Sequence, residues 1–113
     1  MINFKLEEFA CPCCKQMPMD PGFLAKIDEA RTISGVPYSI NSGYRCPKHN
    51  AEVGSTTKNH TSGKASDIKC EDMFSRLLVL YGLLMAGFKH IGIAKTFIHA
   101  DTNEEAPKGI YLY

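Results

Sequence analysis

The stretch Asn59-His60-Thr61-Ser62-Gly63-Lys64-Ala65-Ser66-Asp67-Ile68 constrains this chain more than any other. It sets an imidazole and a carboxylate seven positions apart, with a glycine turn between them. The Ala-Ser-Asp-Ile run alternates as a strand does, so Ala65 and Asp67 face one way and Ser66 and Ile68 the other. Phe97-Ile98-His99-Ala100-Asp101 is a second short alternating run. If the two strands lie side by side, His60, Asp67 and His99 can converge on one point. Two imidazoles and one carboxylate are a usual ligand set for catalytic zinc, which keeps a fourth position open for water. The pattern points to a small zinc hydrolase.

The rest of the composition leaves room for that reading. At 113 residues the chain is one domain with a single modest core. Thirteen basic and twelve acidic side chains nearly balance, and no basic run is present, which argues against nucleic acid or an anionic membrane as the main partner. The N-terminus lacks the charged and apolar regions of a signal peptide. The longest apolar run, Leu77 to Ala86, contains Tyr81 and Gly82 and is too short to span a bilayer. The expectation is a monomer made in the cytoplasm, without membrane insertion, that would need another route of release to reach a substrate outside.

Five cysteines sit at Cys11, Cys13, Cys14, Cys46 and Cys70. An odd count without a signal peptide favours reduced thiols over a disulfide framework. Cys11-x-x-Cys14 and Cys46-x-x-His49 have the spacing of zinc ligands and together would make a second, structural Cys3His site. Pairs this short also recur by chance, and free thiols are the simpler expectation.

Along the chain, Phe4, Leu6 and Phe9 form an apolar lead-in to the cysteine turn. Asp20-Pro21 predicts a helix start, running to about Ser34 with Gly35 as its cap. Phe23, Leu24, Ile27, Ala30 and Arg31 give it a core-facing stripe. Residues 36–41 read as a strand that delivers Ser42-Gly43-Tyr44-Arg45 to a loop. Pro47 starts a brief helical turn through Val53, and residues 55–59 read as a polar, flexible rim. The longest helix is expected from about Met73 to Ala86, with Phe74, Leu77, Leu78, Tyr81, Leu84 and Met85 packing the core. Strands are expected at Lys89 to Ala94, at Phe97 to Ala100 and, as an edge, at Gly109 to Tyr113. The fold class is α+β: one domain in which two main helices pack on a small, mostly antiparallel sheet.

Gathered together, Ser42-Gly43-Tyr44-Arg45, Asn50, His60-x-x-Gly63-x-Ala65-x-Asp67-Ile68 and Phe97-Ile98-His99-Ala100-Asp101 resemble the zinc D-alanyl-D-alanine carboxypeptidase family, peptidase family M15. The likeness is to its short phage and bacterial members above all. It runs from the Cys11-Pro12-Cys13-Cys14 region to the His99 strand. The resemblance implies a hedgehog/DD-peptidase-like fold, one zinc held by His60, Asp67 and His99, and cleavage of peptidoglycan stem peptides. It also suggests a phage lysis or wall-opening enzyme.

Zinc in that site would polarise the scissile carbonyl and bring the pKa of its water toward ~7. Arg45 is the expected substrate-binding and catalytic cation: it can hold a carboxylate bidentately or stabilise the oxyanion, against the plain alternative of a surface ion pair. Ser42 and Tyr44 belong to the same substrate-binding segment, and Tyr38 and Tyr44 either stack on substrate or simply pack. Family members commonly carry an acidic residue three positions before the last histidine ligand, where this chain has Thr96. Asp101 is the nearest carboxylate. It either reaches the zinc water as general base or orients a ligand imidazole from behind. His90 is a third acid–base candidate, and His49 is more simply a helix-end residue. If the base is lost, the alternative is a zinc-containing module that binds cell-wall peptides without cutting them.

Overall fold

The computed structural model describes residues 3–54 and 59–113, so most of the rim at residues 55–59 lies outside the described residues. The chain opens with a short 3-10 turn, Leu6–Phe9. Helix α1 spans Pro21–Ser34, as its signals predict: the Asp20 carboxylate accepts from the Phe23 N–H at 2.9 Å, Pro21 fills the first turn, and Gly35 closes the end in the left-handed region. Helix α2 is the brief Pro47–Glu52 turn. Helix α3, Met73–Met85, starts where the Asp72 side chain accepts from the Ser75 N–H.

Five strands form one sheet: β1 Ile40–Ser42, β2 Ala65–Lys69, β3 His90–Ile93, β4 Phe97–Asp101 and β5 Gly109–Leu112, in the order β1-β2-β4-β3-β5. The architecture is α+β as expected, but the sheet is mixed. β1, β2, β4 and β3 pair antiparallel, whereas β5 runs parallel to β3. The chain crosses from β4 past β3 to reach that outer edge, a connection that strand patterning does not reveal. β1 is shorter than the expected 36–41 strand. Pro37 has no N–H for the ladder, and Tyr38 is drawn into the core, where its hydroxyl lies 3.0 Å from the Val79 carbonyl and 3.3 Å from that of Ala30.

The helices cover the sheet face that carries Ile68, Ile91, Ile98 and Ala100, and Phe4, Phe9, Phe23, Ile27, Val79, Leu83 and Phe88 complete the core. On α1 the stripe expected from sequence is the one that packs, with Phe23, Ile27 and Ala30 fully buried. On α3 it is not. Phe74, Leu77 and Met85 are 68%, 61% and 60% exposed, Tyr81 and Leu84 are also exposed, and the buried face is Val79, Gly82 and Leu83. The helix is apolar on more than one side, so periodicity marks a stripe without saying which side meets α1. Gly82 decides it, because a glycine there lets α1 approach closely. Among the described residues no helix is long and apolar enough to cross a membrane.

Gly82→Ala tests this contact. A Cβ at Gly82 would lie 2.3 Å from the Ala30 carbonyl oxygen and 2.5 Å from the Tyr38 hydroxyl, so the helices must separate. Alanine gains up to ~1 kcal/mol of helix propensity, but overpacking costs about 1–3 kcal/mol and the obstacle is backbone. The variant is expected to unfold at lower urea concentration than wild type. An unchanged midpoint would show that the two helices part at no cost.

Candidate metal centre

Side chains of β2 and β4 meet in register on the face away from the helices. Asp67 pairs with His99 and Ala65 with Asp101, while β3 sets Gly92 opposite His99 and His90 opposite Asp101. With a period of two, Asp67, His99, Asp101 and His90 share one face. His60 arrives from the turn before β2. That turn closes at Gly63, with φ 73, where a side chain would strike the Pro18 carbonyl.

The structure brings the three expected ligands together. His99 Nδ1 lies 2.9 Å from Asp67 Oδ1, His60 Nε2 lies 3.5 Å from the same oxygen, and all three ligand atoms fall within 4.8 Å of one another. Tetrahedral zinc with N and O ligands at about 2.1 Å has ligand–ligand edges of about 3.4 Å, so the donor set fits. The tautomer of His60 strengthens the case. Its Nδ1 lies 2.8 Å from the Gly43 carbonyl, which can only accept, so Nδ1 carries the proton and Nε2 presents a lone pair. That Nε2 is buried and has no hydrogen-bond partner. A buried acceptor without a donor is costly, and a cation satisfies it.

Asp101 sits on the far side of His99. Its Oδ2 is 2.7 Å from His99 Nε2 and 3.3 Å from Asn59 Nδ2, and Oδ1 accepts from the Asn103 N–H at 3.2 Å. His90, His99 and Asp101 are also close enough to surround an ion. The Asp67 side is the better ligand set: Asp101 is already satisfied by three donors, whereas His60 Nε2 is not. Burial alone would lower the His99 pKa, but the hydrogen bonds to Asp101 and Asp67 outweigh it and raise it to about 9. Burial likewise pushes Asp67 up, yet the imidazoles of His60 and His99 beside it hold it well below the usual carboxylate range.

These ligands open into a cleft of about 340 Å³ lined by Arg45, Asn59, His60, His90, His99 and Tyr111. Arg45 is positioned by its backbone N–H, which donates to the His60 carbonyl at 3.3 Å. Its Nε is buried without a partner, and among the described residues no carboxylate forms an ion pair with it. The plain alternative of a surface ion pair is therefore not seen among the described residues. His90 donates from Nδ1 to the Pro107 carbonyl at 2.7 Å.

Other expected site residues lie elsewhere. Ser42 pairs with Asp67 across β1 and β2 but does not line the cleft. Tyr44 and Tyr38 are buried in the core, so packing, not stacking on a ligand, is their role. Thr96 is exposed in the turn before β4. His49 is not among the clustered metal-ligand groups; its Nδ1 is 3.8 Å from Glu52. The sulfur cluster takes Cys13 in its place, beside Cys11, Cys14 and Cys46. Tyr111 went unread as a site residue. Its ring reaches the cleft over Gly92, where any Cβ would lie 2.4 Å from it. Nothing in the local sequence signals that contact, which depends on the parallel β3–β5 pairing.

A buried His-Asp-His set at the floor of a cleft defines a metallohydrolase type of site. The sequence profile of the Peptidase M15 family matches residues 2–101, and the chain belongs to that family of metal-dependent peptidases. No curated protein matches the sequence.

The charge state of His99 makes a prediction. In the metal-free protein a raised pKa contributes stability that is complete below about pH 6.5 and lost as pH rises through about 9. Metal must displace the proton on the nitrogen facing Asp67, so zinc affinity is expected to climb by about tenfold per pH unit across neutral pH. Competition with a chromophoric chelator measures it. A flat profile would remove His99 from the ligand set.

Proposed function

We propose that this domain is a zinc peptidase that hydrolyses the stem peptides of bacterial peptidoglycan, as a D,D-carboxypeptidase or a stem-peptide endopeptidase. The observation that carries the reading is the unsatisfied Nε2 of His60 beside Asp67 and His99, in a cleft that is also lined by Arg45, whose guanidinium has no carboxylate partner among the described residues. His60, Asp67 and His99 would hold the ion. When bound, zinc supplies Lewis-acid polarisation of a scissile carbonyl and acidifies water toward a pKa of ~7.

The chain's own residues account for the rest. Arg45 offers a guanidinium free to take a stem-peptide carboxylate bidentately or to face the carbonyl oxygen as charge develops on it. Asp101, with its carboxylate on His99 Nε2, favours the orienting role: it fixes the imidazole that the ion needs and is shielded by that ring from the cleft. His90 then becomes the proton carrier: its Nδ1–H is held by Pro107, its Nε2 lies 3.7 Å from Asp101 Oδ2, and its ring lines the cleft. Tyr111 stays protonated, because burial and then its hydrogen bond with Tyr113 push its hydroxyl upward, so it is available as a donor. Cell-wall peptide as substrate accords with a phage lysis or wall-opening role.

The second reading, a module that holds zinc and wall peptides without cutting, draws on Thr96, which cannot accept a proton from water. Zinc-loaded protein incubated with purified muropeptides and analysed by mass spectrometry separates the two. A defined cleaved bond is expected, lost in His60→Ala. Intact muropeptides from fully zinc-loaded protein would favour the binding module.

The division of labour is testable too. Asp101→Asn is expected to weaken zinc affinity by roughly 10–100-fold, while His90→Gln keeps its zinc and loses turnover. Full zinc affinity in the first and full activity in the second would return the base to Asp101. Arg45→Ala is expected to lower kcat/KM by about 10²-fold or more, with Arg45→Lys recovering little because the bidentate fork is gone. Equal rescue by lysine would reduce Arg45 to a point charge.

A further inference from the structure

We propose that Cys11, Cys13, Cys14 and Cys46 bind a second zinc ion as a tetrathiolate site, and that this site fixes the loop carrying Arg45. The four sulfurs all lie within 4.8 Å of one another. Zinc with four thiolates at about 2.3 Å requires sulfur–sulfur edges of about 3.8 Å. Cys11 and Cys13 stand 3.8 Å apart, and Cys13 and Cys46 stand 3.2 Å apart. All four are free thiols, so closing the tetrahedron asks only for small side-chain rotations.

The backbone around them is shaped as a metal knuckle requires. Cys11 N–H donates to the Gln16 carbonyl and Lys15 N–H to the Cys11 carbonyl, each at 2.8 Å. Lys15 sits at φ 62, the one left-handed non-glycine among the described residues. That conformation folds residues 13 and 14 back over residue 11 and costs energy unless something holds it. Two backbone N–H groups also point at sulfur: Cys46 N–H at Cys11 Sγ and His49 N–H at Cys46 Sγ, both at 3.5 Å. Such donors favour thiolate over thiol. His49 thus contributes its backbone, not its ring.

The position gives the ion its task. Gly43 packs so closely on Phe9 that a Cβ would lie 2.6 Å from the Phe9 Cα, and Tyr44 N–H donates to the Phe9 carbonyl at 2.8 Å. The knuckle follows Phe9 directly, and Cys46 follows Arg45. An ion shared by the two segments locks the 43–46 loop against the N-terminal turn, and with it the Gly43 carbonyl that orients His60. This inference stands without the peptidase reading, since it concerns metal and loop alone.

Purified protein equilibrated with zinc is expected to hold two ions per chain. His60→Ala and the double variant Cys13→Ser/Cys14→Ser should each keep one, and His49→Ala both. Cobalt(II)-loaded wild type should show intense thiolate-to-metal charge-transfer absorption that survives in His60→Ala and vanishes in the double cysteine variant. Trypsin should cut after Arg45 readily only once the zinc of His60→Ala has been chelated. Wild-type protein without the charge-transfer band would overturn the site, as would a disulfide between Cys13 and Cys46 in the intact mass. Loss of one ion in His49→Ala would overturn the ligand set. Equal tryptic rates with and without zinc would overturn the role in the loop.

Discussion

The pairing of β2 with β4 decides both faces of this molecule at once. With Asp67 opposite His99 and Ile68 opposite Ile98, each strand sends its polar residues to one side and its apolar residues to the helices. A slip of one residue would bury Asp67 and His99 under α1 and α3 and expose Ile68 and Ile98. The hydrophobic core therefore pins the register that the metal centre needs. The centre does not stabilise itself: two imidazoles and two carboxylates are costly to bury, and only a nearly complete set of hydrogen bonds makes them tolerable. His99 supplies most of that set by bridging Asp67 and Asp101. The one deficit, at His60 Nε2, is where an ion belongs.

A second constraint ties the centre to the cleft. The 43–45 loop and the 59–63 turn hold each other from both directions, His60 donating from its ring to the Gly43 carbonyl and accepting at its own carbonyl from Arg45 N–H. The orientation of a metal ligand and the position of the substrate cation are thus one mechanical unit. Loops are ordinarily the most adaptable part of a fold. Here adaptability is removed on one side by Gly63 against Pro18 and on the other by Gly43 against Phe9. The four sulfurs lie at the outer end of the same unit.

What the sequence revealed follows from the range of the forces involved. The helix start at Asp20 rests on a side chain three residues from the group it caps, so it was legible. The His60, Asp67 and His99 set was legible because strand alternation fixes two of its members to a common face. The buried side of α3 was not. Its sequence is apolar around most of the circumference, and the choice was made by Gly82 against α1, a contact between segments far apart in the chain. Tyr111 was hidden for the same reason, since a crossover to β5 and the missing side chain of Gly92 put it in the cleft. Cys13 lost to His49 on spacing alone, because the turn at Lys15 that brings Cys13 inward has no glycine to announce it.

The charges that line the cleft limit what it can hold. Asp101 is committed to His99 by a 2.7 Å hydrogen bond, no carboxylate among the described residues pairs with Arg45, and the cleft presents a guanidinium and imidazoles to whatever enters. Such a lining favours a ligand that brings its own negative charge, because a guanidinium can hold a carboxylate bidentately. A stem peptide ending in a free carboxylate meets that requirement better than an internal stretch of neutral peptide. On the proposed function, the charge of the cleft thus bears on which end of a substrate it prefers.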